Sequence, residues 1–533
     1  MALFGFQFLY TAVLAVLLEK VVSIFSPGLK LISGYYRFIV PSDSDLKKFA
    51  SNAKTSKDLR IPNDTGIDLQ IHQTNRNDVA FLPYFNDFTW LIDFSIMAVL
   101  CFVGVEIYFQ LGFSKDSVLH MGLIWIGVVL VLLMKTLFTM IKSYAGSNSG
   151  EFSVVLTLTS LALVISMICL IMDRYLDFGL NESFKSFDIH LQAFYRDTVD
   201  ITNKDYQNRT ASRMLFNGYL AIISTALAGL LSFPGLKAAQ KFALLYKRKE
   251  GSASDGLIDQ LISCFNFSMP FIVSILYLKP VKRFYHDRDY FTLKNDTEMR
   301  MGNFYDNLSP ADKKIADDRF NLMRVTVILV FCFIRMLTFS RYMQAFLTTP
   351  QKELTELRKE VGFTKATKIQ EEIRKVNLAT CITAIQYIAP TLMVFFLTLS
   401  LIGLGDIRII DSFDGKMNTT FGRLIAREND QSSAAMKFGA LWTKMTATLG
   451  LDDDISTGIN MVSSQKYKLS SLLKIFNPVF FQGVMNYLLW FVNFYLGLTS
   501  LLGLNFYFRK HSDENLEVKR TVTTKKVGKA KRA

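Results

Sequence analysis

The stretch Phe88–Phe109, FTWLIDFSIMAVLCFVGVEIYF, constrains what this chain can fold into more than any other. It is long enough to cross a bilayer as one helix, since about 20 apolar residues span a hydrocarbon core of about 30 Å. It also carries two acids, Asp93 and Glu106. A charge at the centre of a spanning helix costs roughly 2.5–3.5 kcal/mol on insertion scales. Each acid therefore needs a partner, a water-filled cavity or a nearby interface.

Comparable apolar runs recur at 118–141, 152–172, 213–233, 258–279, 320–347 and 377–404, with a further run at 477–505. The predicted fold is an all-α, polytopic membrane helix bundle of about 8–9 spans. Composition agrees: 46 Phe and 50% hydrophobic residues accompany a mean hydropathy of +0.25. Residues 1–25 form a first apolar run without the basic leader or clear cleavage site of a secretory signal, so a retained anchor is favoured over a cleaved one,. Residues 26–87 are a polar segment in which PSDSDLKKFA reads as a short capped helix after Pro41,. The bundle proper occupies 88–404, a long polar loop 405–475, and a basic tail 506–533.

The net charge of +14 would suggest nucleic acid in a soluble chain. Here the basic residues sit in loops and the tail, where cytoplasmic retention and anionic headgroups account for them, and no nucleic acid is expected. Counting the first helix gives nine spans, with the two termini on opposite sides. With the tail inside, inner segments carry 30 Lys and Arg and outer ones 23, which favours that orientation,. Sequons at Asn181, Asn208, Asn295 and Asn418 then lie outside and are candidate glycosylation sites,. The five cysteines all fall inside apolar runs and the five histidines are scattered, so neither a disulfide framework nor a metal site is expected,. No phosphate loop, nucleophile elbow or HExxH motif occurs,. The expectation is a protein without enzymatic activity or cofactor.

Arg335 is the deepest charge, about halfway along its run. Arginine does not lose its proton, so at that depth it needs a carboxylate, carbonyls or water. Asp93 and Glu106 are its candidate partners. One arginine hardly serves both, since they stand about 20 Å apart along a helix. A buried pair fixing helix register, an ion or substrate pathway, and snorkelling acids beside a solvated arginine remain open. Asn266 precedes Pro270 by four residues, and Gln386 precedes Pro390 by four. Each proline frees a carbonyl beside an amide side chain, so both are candidate kinks or polar binding points. In the last run Gly483, Asn486, Trp490, Asn493 and Gly497 share one stripe, a candidate helix-contact face,. Lys529 and Lys531 fit a retrieval signal for the endoplasmic reticulum if the tail is cytoplasmic.

Several strings together resemble the transmembrane protein 161 family. They are Trp90 to Phe94 with Glu106, Tyr175 to Leu180, Phe233 to Leu236, and Leu278-Lys279-Pro280. They continue with Arg324 and Arg335 eleven apart, Gln344 to Leu347, Gln386 to Pro390, and Asn477-Pro478. The resemblance implies a multi-pass protein without known enzymatic activity and with a regulatory role touching membrane ion currents and excitability. Its partners would be the lipid bilayer and ion channels or other membrane proteins, and its location the cell membrane. The alternatives are a transporter or channel using Arg335, an acid and the broken helices, and an endoplasmic-reticulum protein of trafficking or folding.

Overall fold

A computed structural model describes residues 6–48, 60–62, 69–110, 121–147, 149–198, 211–246, 253–293, 310–357, 363–404 and 477–530. The chain starts with α1 (Phe6–Phe25) and α2 (Pro27–Ile32), then β1 (Tyr36–Phe38), α3 (Asp43–Lys47), β2 (Arg60–Pro62), β3 (Ile71–Gln73) and α4 (Arg76–Ala80). Long helices follow: α5 (Phe85–Gln110), α6 (Met121–Ser147) and α7 (Ser149–Ile171). Next come α8 (Leu180–Thr198), α9 (Arg213–Tyr246), α10 (Ala253–Ile275), α11 (Lys279–Leu293) and α12 (Pro310–Leu347). The chain continues with α13 (Thr349–Leu357), β4 (Phe363–Lys365), α14 (Ala366–Leu378), α15 (Thr380–Leu404) and α16 (Pro478–Ala530).

Among the described residues seven helices are long and apolar enough to cross a membrane: α5, α6, α7, α9, α12, α15 and α16. The run expected to span at 258–279 ends earlier, since the helix that carries it, α10, stops at Ile275. Its last residues leave the helix, because Tyr277 and Lys279 pair their backbones with the chain that follows α7. Of the apolar window of α15, 83% is buried, against 28% for α6 and for α7, so α15 stands at the centre and the other two at the rim. The polar groups of α15 do not resist this burial. Thr391, Thr398 and Ser400 return their hydroxyls to the carbonyls of Tyr387, Val394 and Phe396,.

Helix α16 is bound to its neighbours by tyrosine hydroxyls. Tyr487 Oη lies 2.8 Å from Ser166 Oγ on α7, and Tyr495 Oη 2.6 Å from Ser232 Oγ on α9. Such bonds matter more between helices in lipid, where apolar burial alone gives little drive to associate.

The polar segments build a layer on one end of the bundle. β1 pairs antiparallel with β3, and β2 with β4 from more than 300 residues later, in register Arg60↔Lys365 to Pro62↔Phe363. A small core of Phe38, Leu46, Ile61, Ala366, Ile369 and Ile373 lies beneath. The helix expected after Pro41 is α3, with Ser42 Oγ accepting from Asp45 N. α4 opens with a reciprocal capping box between Asn75 and Asp78,. The Asn75 N–H, with Arg37 at 2.9 Å and His72 at 3.4 Å, holds the Asp78 carboxyl below the usual carboxylate range. The side-chain amide of Gln344, near the end of α12, bonds both ways to the backbone of Tyr36, at 3.1 Å each.

Candidate functional site

The opposite end of the bundle is closed by a charge network. A short 3-10 turn, Met172–Arg174, ends α7, and the next residues run alongside the exit of α10. Leu176 and Leu278 form an antiparallel bridge, Asp177 N donates to Tyr277 O at 2.8 Å, and Lys279 N donates to Tyr175 O at 3.1 Å. Phe178 then wedges between the rings of Tyr277, Tyr487 and Trp490. Gly179, at φ 73°, turns the chain into α8, a conformation that side-chain-bearing residues avoid,.

This clasp presents Asp177 to two cations from other elements. Arg324 of α12 places Nη1 3.7 Å from Asp177 Oδ2, and Lys282 of α11 places Nζ 3.3 Å from the same oxygen. Lys282 also meets Asp317 at 2.9 Å, and His286 Nε2 lies 3.3 Å from Asp317 Oδ1. Arg213, at the start of α9, meets Asp173 at 3.3 Å. Lys279 Nζ donates to the carbonyls of Asp173 and Arg174 at 3.2 and 2.9 Å, at the turn that ends α7,. Arg324 is only 3% exposed. Its guanidinium lies 4.0 Å over the Tyr277 ring and donates to Asn321 Oδ1. A cation so buried is tolerable because charge, hydrogen bonds and an aromatic face all meet it.

The expected pairing of Arg335 with Asp93 or Glu106 is not made. Asp93 Oδ1 instead accepts from Gly28 N at 3.1 Å, at the first turn of α2. Glu106 is half-buried towards the far end of α5. Arg335 makes no ion pair among the described residues, and its guanidinium lies 5.8 Å from the Phe331 ring centroid and 5.3 Å from that of Tyr387. The physical reason is the position of α15, which packs against both α5 and α12 and so stands between the acids and the arginine.

The helices that carry Pro270 and Pro390 run through these prolines unbroken, and the two converge. Asn266 Nδ2 of α10 donates to Thr338 Oγ1 of α12 at 2.9 Å, and Thr338 meets Tyr387 Oη of α15 at 2.7 Å. Pro270 O accepts from Ser274 Oγ, while Gln386 and Pro390 are buried within α15. The stripe on α16 faces inward. A Cβ at Gly483 would strike Ser183 and Gly179, and one at Gly497 would strike Phe271. Asn486 is half-buried beside them. Trp490 Nε1 donates to Ser274 O at 3.2 Å, and Asn493 is fully buried. Asn181 is exposed at the start of α8, whereas Asn208, Asn295 and Asn418 lie outside the described residues. Lys529 falls in the last turn of α16, and Lys531 lies outside the described residues.

Reasoning from residue types missed Asp173, Asp177, Lys279, Lys282, His286 and Asp317. The signal was present in another form. Tyr175 to Leu180, Leu278 to Pro280 and Arg324, three strings that carried the family resemblance, meet here.

Seven helices of membrane-crossing length and apolarity among the described residues, a centre filled by α15 and α16, and one end closed by paired charges define a polytopic helical membrane protein. The family described as Predicted transmembrane protein 161AB matches residues 2–511, and the chain belongs to that family. No solved structure matches it.

Proposed function

We propose that the protein is a non-enzymatic regulator of membrane ion currents that acts by contacting channels or other membrane proteins within the bilayer. The observation that supports this is how the bundle is filled. The apolar windows of α15 and α16 are 83% and 72% buried, so side chains occupy the centre that a conduction path would use. The rim helices α6 and α7 leave most of their apolar windows uncovered. Lipid covers such faces by default, and the span of a partner can take its place. The family resemblance points to the same role, at the cell membrane.

Purified protein in liposomes tests this reading. The expected result is no flux of sodium, potassium, chloride or protons above that of empty liposomes, with channel subunits co-purifying from native membranes. A flux abolished by Arg335→Leu would replace it with a transporter. Removal of Lys529 and Lys531 is expected to leave the surface population unchanged, and a population that appears at the surface only on their removal would favour residence in the endoplasmic reticulum.

A further inference from the structure

Helix α12 turns one side outward and the other into the bundle. Val330, Phe333 and Leu337 are 47%, 64% and 63% exposed, whereas Ile328, Phe331, Phe339 and Tyr342 are at most 3% exposed. At 3.6 residues per turn Arg335 projects about opposite Phe333 and Leu337, onto the inward side. Yet Arg335 is itself partly exposed.

The polar groups around Arg335 are incomplete in a complementary way. Arg335 carries a charge it cannot discharge, without a carboxylate among the described residues, and its buried Nε lacks a hydrogen-bond partner,. Its Phe331 and Tyr387 neighbours offer ring faces, which do not neutralise a full charge at this depth,. Thr338 is already committed to Tyr387, and Tyr387 Oη also donates to Arg335 O at 3.0 Å. Asn266 reaches Thr338 with its amide nitrogen, which leaves Oδ1 buried and without a partner. One unmet donor, one unmet acceptor and one uncompensated cation thus belong to a single connected patch where α10, α12 and α15 meet.

We propose that this patch is an anion site that takes a small monovalent inorganic anion of the chloride class. The anion accepts from Arg335 and balances its charge. A water molecule donates to Asn266 Oδ1 and to the anion, so both unmet groups are served. The site lies on the inward side of α12, away from Phe333 and Leu337, which argues against a phospholipid headgroup as the occupant. A resident anion of this kind needs no flux through the protein, so the inference is independent of the proposed regulatory role.

The test is thermal unfolding of the full chain in neutral detergent, dialysed free of chloride and titrated with sodium chloride or sodium gluconate at equal ionic strength. Chloride is expected to raise the wild-type midpoint saturably by a few degrees over gluconate, as a ligand of the folded state must. Arg335→Lys keeps a weaker dependence and Arg335→Gln loses it. Should Arg335→Gln fail to fold, Asn266→Ala retains the cation and is expected to need several-fold more chloride for the same shift. Equal wild-type midpoints in the two salts would overturn the proposal, as would an unchanged chloride dependence in Arg335→Gln. Stabilisation by phosphatidylglycerol in chloride-free buffer, lost in Arg335→Gln and without a chloride effect, would assign the site to a lipid headgroup instead and overturn it too.

Discussion

The Asp93 carboxylate of α5 accepts a hydrogen bond from the backbone nitrogen of Gly28, 65 residues earlier in the chain. Gly28 lies in the first turn of α2, whose N-cap Ser26 has φ 22° and provides no side-chain cap. The acid inside the spanning helix does the capping from outside, where the N-terminal partial charge of α2 favours an anion. Gly28 permits this approach, since a Cβ there would sit 2.9 Å from Thr89 Cα.

Replacing Asp93 by Leu should therefore loosen α2 without disturbing the deep bundle. The expected cost is about 1 kcal/mol, the usual value of a cap. Amide exchange over residues 28–32 should quicken, with exchange at Arg335 and its neighbours unchanged. Asp93→Asn, which keeps an acceptor, should lose less. Faster exchange around Arg335 in Asp93→Leu would revive the pairing of those two residues.

Breaking the buried cluster should cost far more. Arg324→Leu leaves Asp177 short of one cation and Tyr277 without its stacked guanidinium, and breaking a buried pair by removing one partner costs about 3–5 kcal/mol,. Lys282 still meets Asp177, which places the loss at the lower end of that range. Arg324→Lys should recover only part of it, because an ammonium lacks the planar face that lies on Tyr277. Thermal unfolding in detergent reads the series, and full recovery by lysine would deny the ring contact any part.

Acidification should act first on the polar layer. Asp78 is held below the ordinary carboxylate range, mainly by the Asn75 N–H and then by Arg37 and His72. A carboxyl depressed on folding adds stability that is present above its unfolded pKa, near 3.9, and is lost as pH falls through the lower folded value. Exchange protection over residues 71–80, taken relative to the intrinsic rate at each pH, should thus fall between pH 5 and about pH 3 in the wild type. In Asp78→Asn it should be lower at pH 5 and change less with acid. An identical pH response in that variant would remove Asp78 as the cause.

The stripe on α16 should respond as an internal contact. Gly483→Val drives a Cβ into Ser183 and the carbonyl of Gly179, and overpacking of this kind costs about 1–3 kcal/mol,. A lowered unfolding midpoint is expected. An unchanged midpoint with altered capture of other membrane proteins would return the stripe to the role of an outer surface.

The spanning helices were legible because an apolar run of bilayer length has few other uses. The span at 258–279 was overestimated for a related reason. Tyr277 and Leu278 are apolar enough to extend the run, yet they serve the backbone bridge to Tyr175 and Leu176. The pairing of β2 with β4 could not be read, since three-residue strands carry too little alternation to mark themselves,. The error over Arg335 came from matching charges by type and depth. Depth follows from position along one helix, but the choice of partner depends on which helix stands between, and α15 does. Asp177 stood out only as part of the string Tyr175 to Leu180, with no charge-based reason to single it out. Its importance comes from Arg324, Lys282 and the Tyr277 backbone meeting it there, a convergence of three segments that no single stretch reveals.

Arg324, well inside α12, and Gln344, near its C-terminal end, fasten the helix at two points, the first in the charge network and the second on the backbone of Tyr36. Twenty residues of helix separate them, a rise of about 30 Å, which is the thickness of a typical hydrocarbon core. A helix held this way cannot slide to suit a thinner or thicker membrane. The mismatch must be taken up by tilting the bundle or by deforming the lipid around it. Bilayer thickness thereby becomes a variable to which both faces of the protein respond together.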